Sequence, residues 1–223
     1  MVKYVKNKRG VFMWAIVLGA LTGSGAVFLF NRVPKSWLAD YGEKGPEGGA
    51  GKRAAWFPMG AAGSVFLTLS FFFLFQRDDR SGFHLAASIL LLFLFWLMAA
   101  ADWKYGILPD QFTVLCFSQA LLLNYPHFNW SGAALLGGTS FLLGFFSERI
   151  TGNSWIGFGD IKLLFVLGFL FGIKQGMGMF CLAAILSGTV MGILLAAGKL
   201  TLKSSAPFGP YLAFAASVTL VFF

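Results

Sequence analysis

The chain has 223 residues, of which 57% are hydrophobic and only 12% charged, with 27 phenylalanines and a net charge of +8. That composition excludes a soluble globular domain of ordinary make-up and points to a chain that lies mostly in a membrane. The basic residues are scattered through short breaks between apolar stretches, so they read as a topology signal and not as a nucleic-acid surface.

Eight apolar stretches follow one another, at roughly 11–30, 58–76, 84–101, 112–124, 132–147, 161–173, 177–198 and 209–223. A bilayer core about 30 Å thick takes roughly 20 apolar residues per helix. The expected fold class is therefore all-α, a polytopic integral membrane helical bundle of about eight transmembrane helices. The fourth and sixth stretches are short, and are expected to extend into their flanks, to tilt, or to re-enter the membrane. The first follows Lys3, Lys6, Lys8 and Arg9 as a secretory leader would. It is too long for a leader's apolar core, and Phe28-Leu29-Phe30-Asn31-Arg32 is no small-residue cleavage site, so a retained helix is expected. Gly19 and Gly23, and again Gly168 and Gly172, stand four apart, which puts each pair on one helix face suited to close packing.

The one sizeable polar segment, 31–57, contains Lys44-Gly45-Pro46-Glu47-Gly48-Gly49-Ala50-Gly51-Lys52 and shows no hydrophobic period. It reads as a flexible loop, and divides the chain into an N-terminal helix with its polar loop, 1–57, and a membrane-embedded domain, 58–223. Basic residues flank the first helix on both sides. With eight spans and the 31–57 loop in the cytoplasm, the larger share of them, Lys104, Arg149, Lys162, Lys199 and Lys203 included, falls on the cytoplasmic side, as the positive-inside rule favours. Cys116 and Cys181 lie inside apolar stretches and His84 and His127 stand apart, so no metal site or disulfide framework can be built, and both cysteines read as small buried apolar residues.

Acidic residues are costly in a bilayer, and each one beside an apolar stretch needs a reason. Asp40, Glu43 and Glu47 lie in the polar loop, Asp78 and Asp79 sit between Arg77 and Arg80, and Glu148 adjoins Arg149; solvation or local pairing accounts for all of them. Asp110 follows Pro109 at the start of the fourth stretch, where an N-cap role explains it without any chemistry. Asp160, in Gly157-Phe158-Gly159-Asp160-Ile161-Lys162, can also be an N-cap. Asp102 ends the third stretch, where the helix dipole disfavours a carboxylate, and no capping argument applies to it. Two stretches separate Asp102 from Asp160, so two crossings, or none, return the chain to the same membrane face. Like charges about 3 Å apart cannot both ionise, so two carboxylates brought together hold one shared proton. The ionised member can then take a proton from water while the other polarises a peptide carbonyl, a route to peptide hydrolysis without metal or nucleophilic side chain.

Gly157-Phe158-Gly159-Asp160-Ile161-Lys162-Leu163-Leu164 resembles the GxGDxKLL segment of the type IV prepilin peptidases, membrane aspartyl proteases of the GxGD class. Asp102, six intervening residues and then Pro109-Asp110 is similar to that family's first aspartate pattern, and no Pro-Ala-Leu motif of the presenilin type is present. Gly23-Ser24 with Asn31-Arg32-Val33-Pro34 resembles the family's first helix and its exit, and Pro207-Phe208-Gly209-Pro210-Tyr211-Leu212 its Pro-Phe-Gly-Pro segment. The resemblance implies that Asp102 and Asp160 are a catalytic pair at the cytoplasmic face of a bacterial inner membrane. It makes Gly157, Gly159, Lys162, Pro109, Asp110, Pro207 and Gly209 their substrate-binding or site-shaping neighbours. The implied substrate is a membrane-inserted prepilin or pseudopilin, cut after a short basic leader, and no cofactor is implied.

One departure bears on scope. Many bacterial members carry two Cys-x-x-Cys pairs after the first helix, in a region associated with N-methylation by S-adenosylmethionine. Here 31–57 is short and has no cysteine, so the resemblance implies peptidase activity with neither methyl transfer nor zinc. Two other readings stand beside it. An ion- or proton-coupled transporter would need its aspartates at mid-membrane depth in broken helices, and a catalytically silent relative would have no need of both.

Overall fold

The computed structural model describes residues 8–32, 60–76, 82–152, 156–199, 201 and 207–222. The polar segment 33–57, with Asp40, Glu43 and Glu47, lies outside the described residues, as do Asp78 and Asp79. Among the described residues the regular structure is all helical: α1 (Lys8–Arg32), α2 (Ala61–Phe75), α3 (Gly82–Tyr105), α4 (Asp110–Asn124), α5 (Trp130–Ala133), α6 (Thr139–Thr151), α7 (Phe158–Ala196) and α8 (Gly209–Phe222). A π-helical turn, Ala134–Gly138, joins α5 to α6. Among these residues four helices are long and apolar enough to cross a membrane: Met13–Arg32, Gly82–Tyr105, Trp130–Thr151 and Phe158–Ala196. The apolar α2 and α8 are shorter, at 15 and 14 residues.

The helices are apolar on the outside as well as the inside. Phe71, Phe95, Phe169, Leu91, Met98 and Leu167 are fully buried, while Trp14, Leu21, Phe28, Leu69, Leu143 and Ile185 face outward. Exposed apolar surface on this scale suits lipid and not water. The cysteines divide along the same line. Cys116 is buried with its thiol 3.7 Å from Met98 Sδ, whereas Cys181 is exposed, a correction to the expectation that both are buried: an apolar helix face can point to lipid as readily as to the core.

Close glycine packing joins α1 to α2. A methyl group on Gly23 would fall 2.5 Å from Ser64 Cα, and one on Gly19 2.5 Å from Thr68 Cα. Gly168 is used in the same way, since a methyl there would lie 3.1 Å from Ala133 Cα. Gly172 packs closely too, since a methyl on Gly132 would lie 2.8 Å from Gly172 Cα, and it also breaks the helix, at φ 71 and ψ −173, a region that essentially only glycine enters.

That break explains how the sixth and seventh stretches join. A straight helix of the 39 residues in α7 would be roughly 58 Å long. Eight residues along a straight helix are about 12 Å apart, yet a Cβ on Gly176 would lie 3.8 Å from Gly168 Cα. The chain therefore turns back on itself at Gly172, and the two stretches are arms of one element. The carbonyls freed at the turn are covered from α4: the Asn124 side-chain amide donates to Phe169 O at 3.0 Å and to Leu170 O at 3.2 Å. Asn129 in turn donates to Asn124 Oδ1 at 3.3 Å. Backbone polar groups at membrane depth need such partners.

Candidate active site

Four helix ends meet at one end of the bundle: the last turn of α3 and the first turns of α4, α7 and α8. Gly106, at φ 67, closes α3 in the left-handed conformation, its N–H donating to Asp102 O at 2.8 Å. That is the usual glycine stop for a helix, and it leaves Asp102 in the final turn. The chain then runs through Leu108 and Pro109 into α4, and Leu108 packs against the start of α7, where a Cβ on Gly159 would lie 3.1 Å from Leu108 Cβ.

Asp102 is buried. Its Oδ2 accepts a 2.9 Å hydrogen bond from the backbone N–H of Gly209, the first residue of α8. The N–H groups in the first turn of a helix have no partner within the helix and carry its positive dipole end, so α8 supplies to Asp102 what the end of α3 denies it. The contact also fixes the residue at 209. A methyl there would sit 2.7 Å from Asp102 Oδ2 and 3.0 Å from its Cγ. Pro207 stands half-buried on the approach to α8, and Phe208 O takes the N–H groups of Tyr211 and Leu212 at 3.1 and 3.2 Å.

Asp160 occupies the third position of α7, half-buried. It is not the N-cap that local sequence allows, for Gly157 holds that position with extended backbone, φ −63 and ψ 141, and no side chain caps the helix. Asp102, at the end of α3, is close enough for its charge to act on Asp160 at the start of α7, so both aspartates lie at this end of the bundle. Gly157 lies alongside, a Cβ on it being 3.4 Å from Asp160 Oδ2.

Asp110 departs from its expected N-cap role as well. Pro109, with φ −62 and ψ 128, holds the N-cap position, leaving Asp110 as the first helical residue. Both of its carboxylate oxygens accept from Lys162 Nζ, at 2.7 and 2.8 Å. The pair ties α4 to α7, two residues beyond Asp160. Lys162 also lies 4.5 Å from the centre of the Phe158 ring. Sequence reasoning passed over Leu108 and Phe158, since one more apolar residue in an apolar chain carries no signal.

Among the described residues no three His, Cys, Asp or Glu side chains come together. What this end of the bundle holds is two carboxylates within electrostatic reach of each other, one of them oriented by a backbone amide, with Gly157 alongside Asp160 and Gly159 next to it in the chain. Such a pair can divide acid and base roles between its members.

A profile of the type IV leader peptidase family matches residues 89–223, the part of the chain that holds both aspartates and all four helix ends. The chain is 33% identical over 132 residues to a prepilin leader peptidase/N-methyltransferase of Burkholderia pseudomallei, covering 56% of this chain and 42% of that protein. It is 32% identical over 151 residues to the protein of the same name from Aeromonas hydrophila, covering 63% and 50%. The leader peptidase HopD of Escherichia coli is 32% identical over 148 residues, 60% of this chain and 88% of HopD. The match thus spans half or less of the two peptidase/methyltransferases and most of the shorter HopD. No solved structure matches the chain.

Proposed function

Because this chain belongs to the type IV leader peptidase family, we propose that it is a membrane aspartyl endopeptidase that removes the basic leader from prepilins or pseudopilins. Asp102 and Asp160 are its catalytic pair. One observation carries the reading: the two carboxylates, distant in sequence, lie at the same end of the bundle, where four helix ends converge, and a helix N-terminal amide orients one of them.

In the reaction one carboxyl holds a proton and the other is ionised. The ionised group takes a proton from a water molecule as that water attacks the scissile carbonyl carbon, and the protonated group hydrogen-bonds to the carbonyl oxygen as charge develops there. Collapse of the tetrahedral species delivers a proton to the leaving amine and restores the pair to its single shared proton. The Gly209 N–H holds the Asp102 carboxylate in place, and Gly157 and Gly159 leave room for an extended substrate backbone. The Asp110–Lys162 pair fixes the start of α7 against α4.

In the topology that goes with this reading α7 counts as two passes, the chain crosses the inner membrane about eight times, and the pair opens to the cytoplasmic face. The activity is peptidase alone. Residues 33–57 contain no cysteine, which supports neither a zinc-bound loop nor methyl transfer. The test is to co-express a prepilin with the chain in membranes and follow its size and the mass of its new N-terminus. Asp102→Asn and Asp160→Asn should each abolish cleavage, and Asp110→Asn should retain a good part. Normal cleavage by both single variants would end the dyad reading.

A further inference from the structure

The fourth apolar stretch gains only Asp110 and Gln111 when it forms α4. Pro109 holds the N-cap, and Tyr125, followed by Pro126, ends the helix in extended backbone, so prolines close it on both sides. Its 15 residues make about 22 Å, against a hydrocarbon core about 30 Å thick. The helix nevertheless borders the lipid, for Val114 is 62% exposed and Leu115 and Leu122 also face outward. Both of its ends are marked. At the site end stands the partly exposed Asp110–Lys162 pair, and a charged pair belongs at headgroup level and not in hydrocarbon. At the far end exposed Tyr125 lies against Phe128, and Phe128 against exposed Trp130, and Tyr and Trp are the usual residues of a membrane–water interface.

Across an outward groove from α4, lined by Val114, Phe117 and Phe141, α6 sets the boundary at another height. It runs antiparallel to the first arm of α7, since a Cβ on Gly132 would lie 2.8 Å from Gly172 Cα and one on Gly137 2.6 Å from Phe165 Cβ. Counted from Gly137 and Phe165, Leu142 is level with Asp160. Exposed Phe145 and Phe146 carry the apolar surface about 6 Å past that level, and Glu148 and Arg149 follow. On α4 the apolar surface stops near Lys162, about 12 Å short of Glu148 along the helix axis. The two helices share their far boundary at Tyr125, Phe128 and Trp130, so tilting the molecule does not level the near one. We propose that the bilayer is thinned along α4, and that its aqueous boundary dips there to Asp160 and gives water a lateral way to the aspartates. Lipid meets a short span by local thinning, at a modest cost for each ångström of mismatch. That the dip serves catalysis rests on the peptidase reading, in which the pair must be supplied with water. The thickness of the surrounding bilayer then regulates the site, because a thicker one resists the dip.

The test uses the full chain in lipid nanodiscs, with exposed Cys181 replaced by alanine. A spin label is attached through Val114→Cys on α4 or Leu142→Cys on α6, both exposed positions, and its collisions with a water-soluble nickel chelate are compared with its collisions with oxygen. Position 142 is nearer the site end by about 9 Å, so in a flat bilayer the label at 114 is the deeper of the two. The dip reverses that order and leaves the label at 114 about 3 Å the shallower. The flat-bilayer order would overturn the proposal. Prepilin cleavage is then followed in phosphatidylcholine bilayers with acyl chains of about 14 or about 22 carbons, and kcat should be about tenfold lower in the thicker one. Equal rates would also overturn it, since water would then reach the pair by another way. The labels are read without turnover, so the two ideas fail separately: the reversed order with no cleavage in either bilayer would sink the peptidase reading and leave the thinning standing.

Discussion

Replacing Gly209 by alanine adds one methyl group at the most sensitive contact of the site. The backbone at 209 is not in the left-handed region, so alanine can adopt it, and glycine to alanine near a helix start tends to favour the helix by a fraction of about 1 kcal/mol. The obstacle is the neighbour. The new methyl would lie 2.7 Å from Asp102 Oδ2, where ordinary contact begins at 3.4 Å, so the carboxylate or the start of α8 must give way by about 0.7 Å. That movement lengthens the 2.9 Å bond from the Gly209 amide, and a hydrogen bond to a charged group contributes about 1.5–3 kcal/mol. A displacement near 1 Å of a catalytic group lowers rate by about 100-fold. We therefore expect Gly209→Ala to reduce kcat for prepilin cleavage about 100-fold, leave KM within about threefold, and lower the melting temperature only slightly, because the helix preference offsets part of the lost contact. Purified protein in lipid nanodiscs, a fixed prepilin and mass detection of the released leader give both constants. Cleavage at the unaltered rate would show that Asp102 does not act from the position in which the amide holds it.

Two further perturbations test the supports of the site. Lys162→Met should slow cleavage about tenfold while costing less than about 1 kcal/mol of stability, since the ion pair is partly exposed and screened; the exchange Asp110→Lys with Lys162→Asp should recover part of the rate, and no recovery would mean that Lys162 acts through something other than this pair. Asn124→Ala removes the donor to Phe169 O and Leu170 O, and should destabilise the folded chain by about 0.6–1.7 kcal/mol, read as a lower midpoint in a thermal or denaturant titration in detergent. An unchanged midpoint would show that the turn at Gly172 does not depend on that amide.

The sequence made the membrane class and the two aspartates legible for different reasons. Apolar residues fill whole stretches, so the class survives any error in boundaries. Asp102 stood out because a carboxylate at a helix C-terminus lacks a local explanation, and the structure supplies a distant one, the Gly209 amide from 107 residues further on. Asp110 was misread for the converse reason. A local explanation, capping after a proline, was available, while its partner Lys162 lies 52 residues away and no local pattern announces it. The packing of Gly168 and Gly172 was legible, but not the additional role of Gly172, since four-residue spacing is the same whether or not the second glycine also breaks the helix. The break itself was half visible, for the apolar pattern already faltered just beyond it at Lys174-Gln175.

The position of that break also bears on the transporter alternative. Ion-coupled transporters use broken helices whose freed backbone carbonyls coordinate the ion, with carboxylates nearby at mid-membrane depth. Here the break and the carboxylates are at different places. Gly172 is about 18 Å along the helix from Asp160, and the carbonyls of Phe169 and Leu170 are already taken by the Asn124 amide. Both aspartates lie within a turn of a helix end, Asp102 in the last turn of α3 and Asp160 in the first turn of α7. For hydrolysis that is the useful place, because water reaches a helix end more easily than mid-bundle, and only helix termini have spare backbone donors to hold a carboxylate. A single protein thus shows both uses of an interrupted helix: at Gly172 the open backbone is sealed with an amide, and at Gly209 it is turned on Asp102.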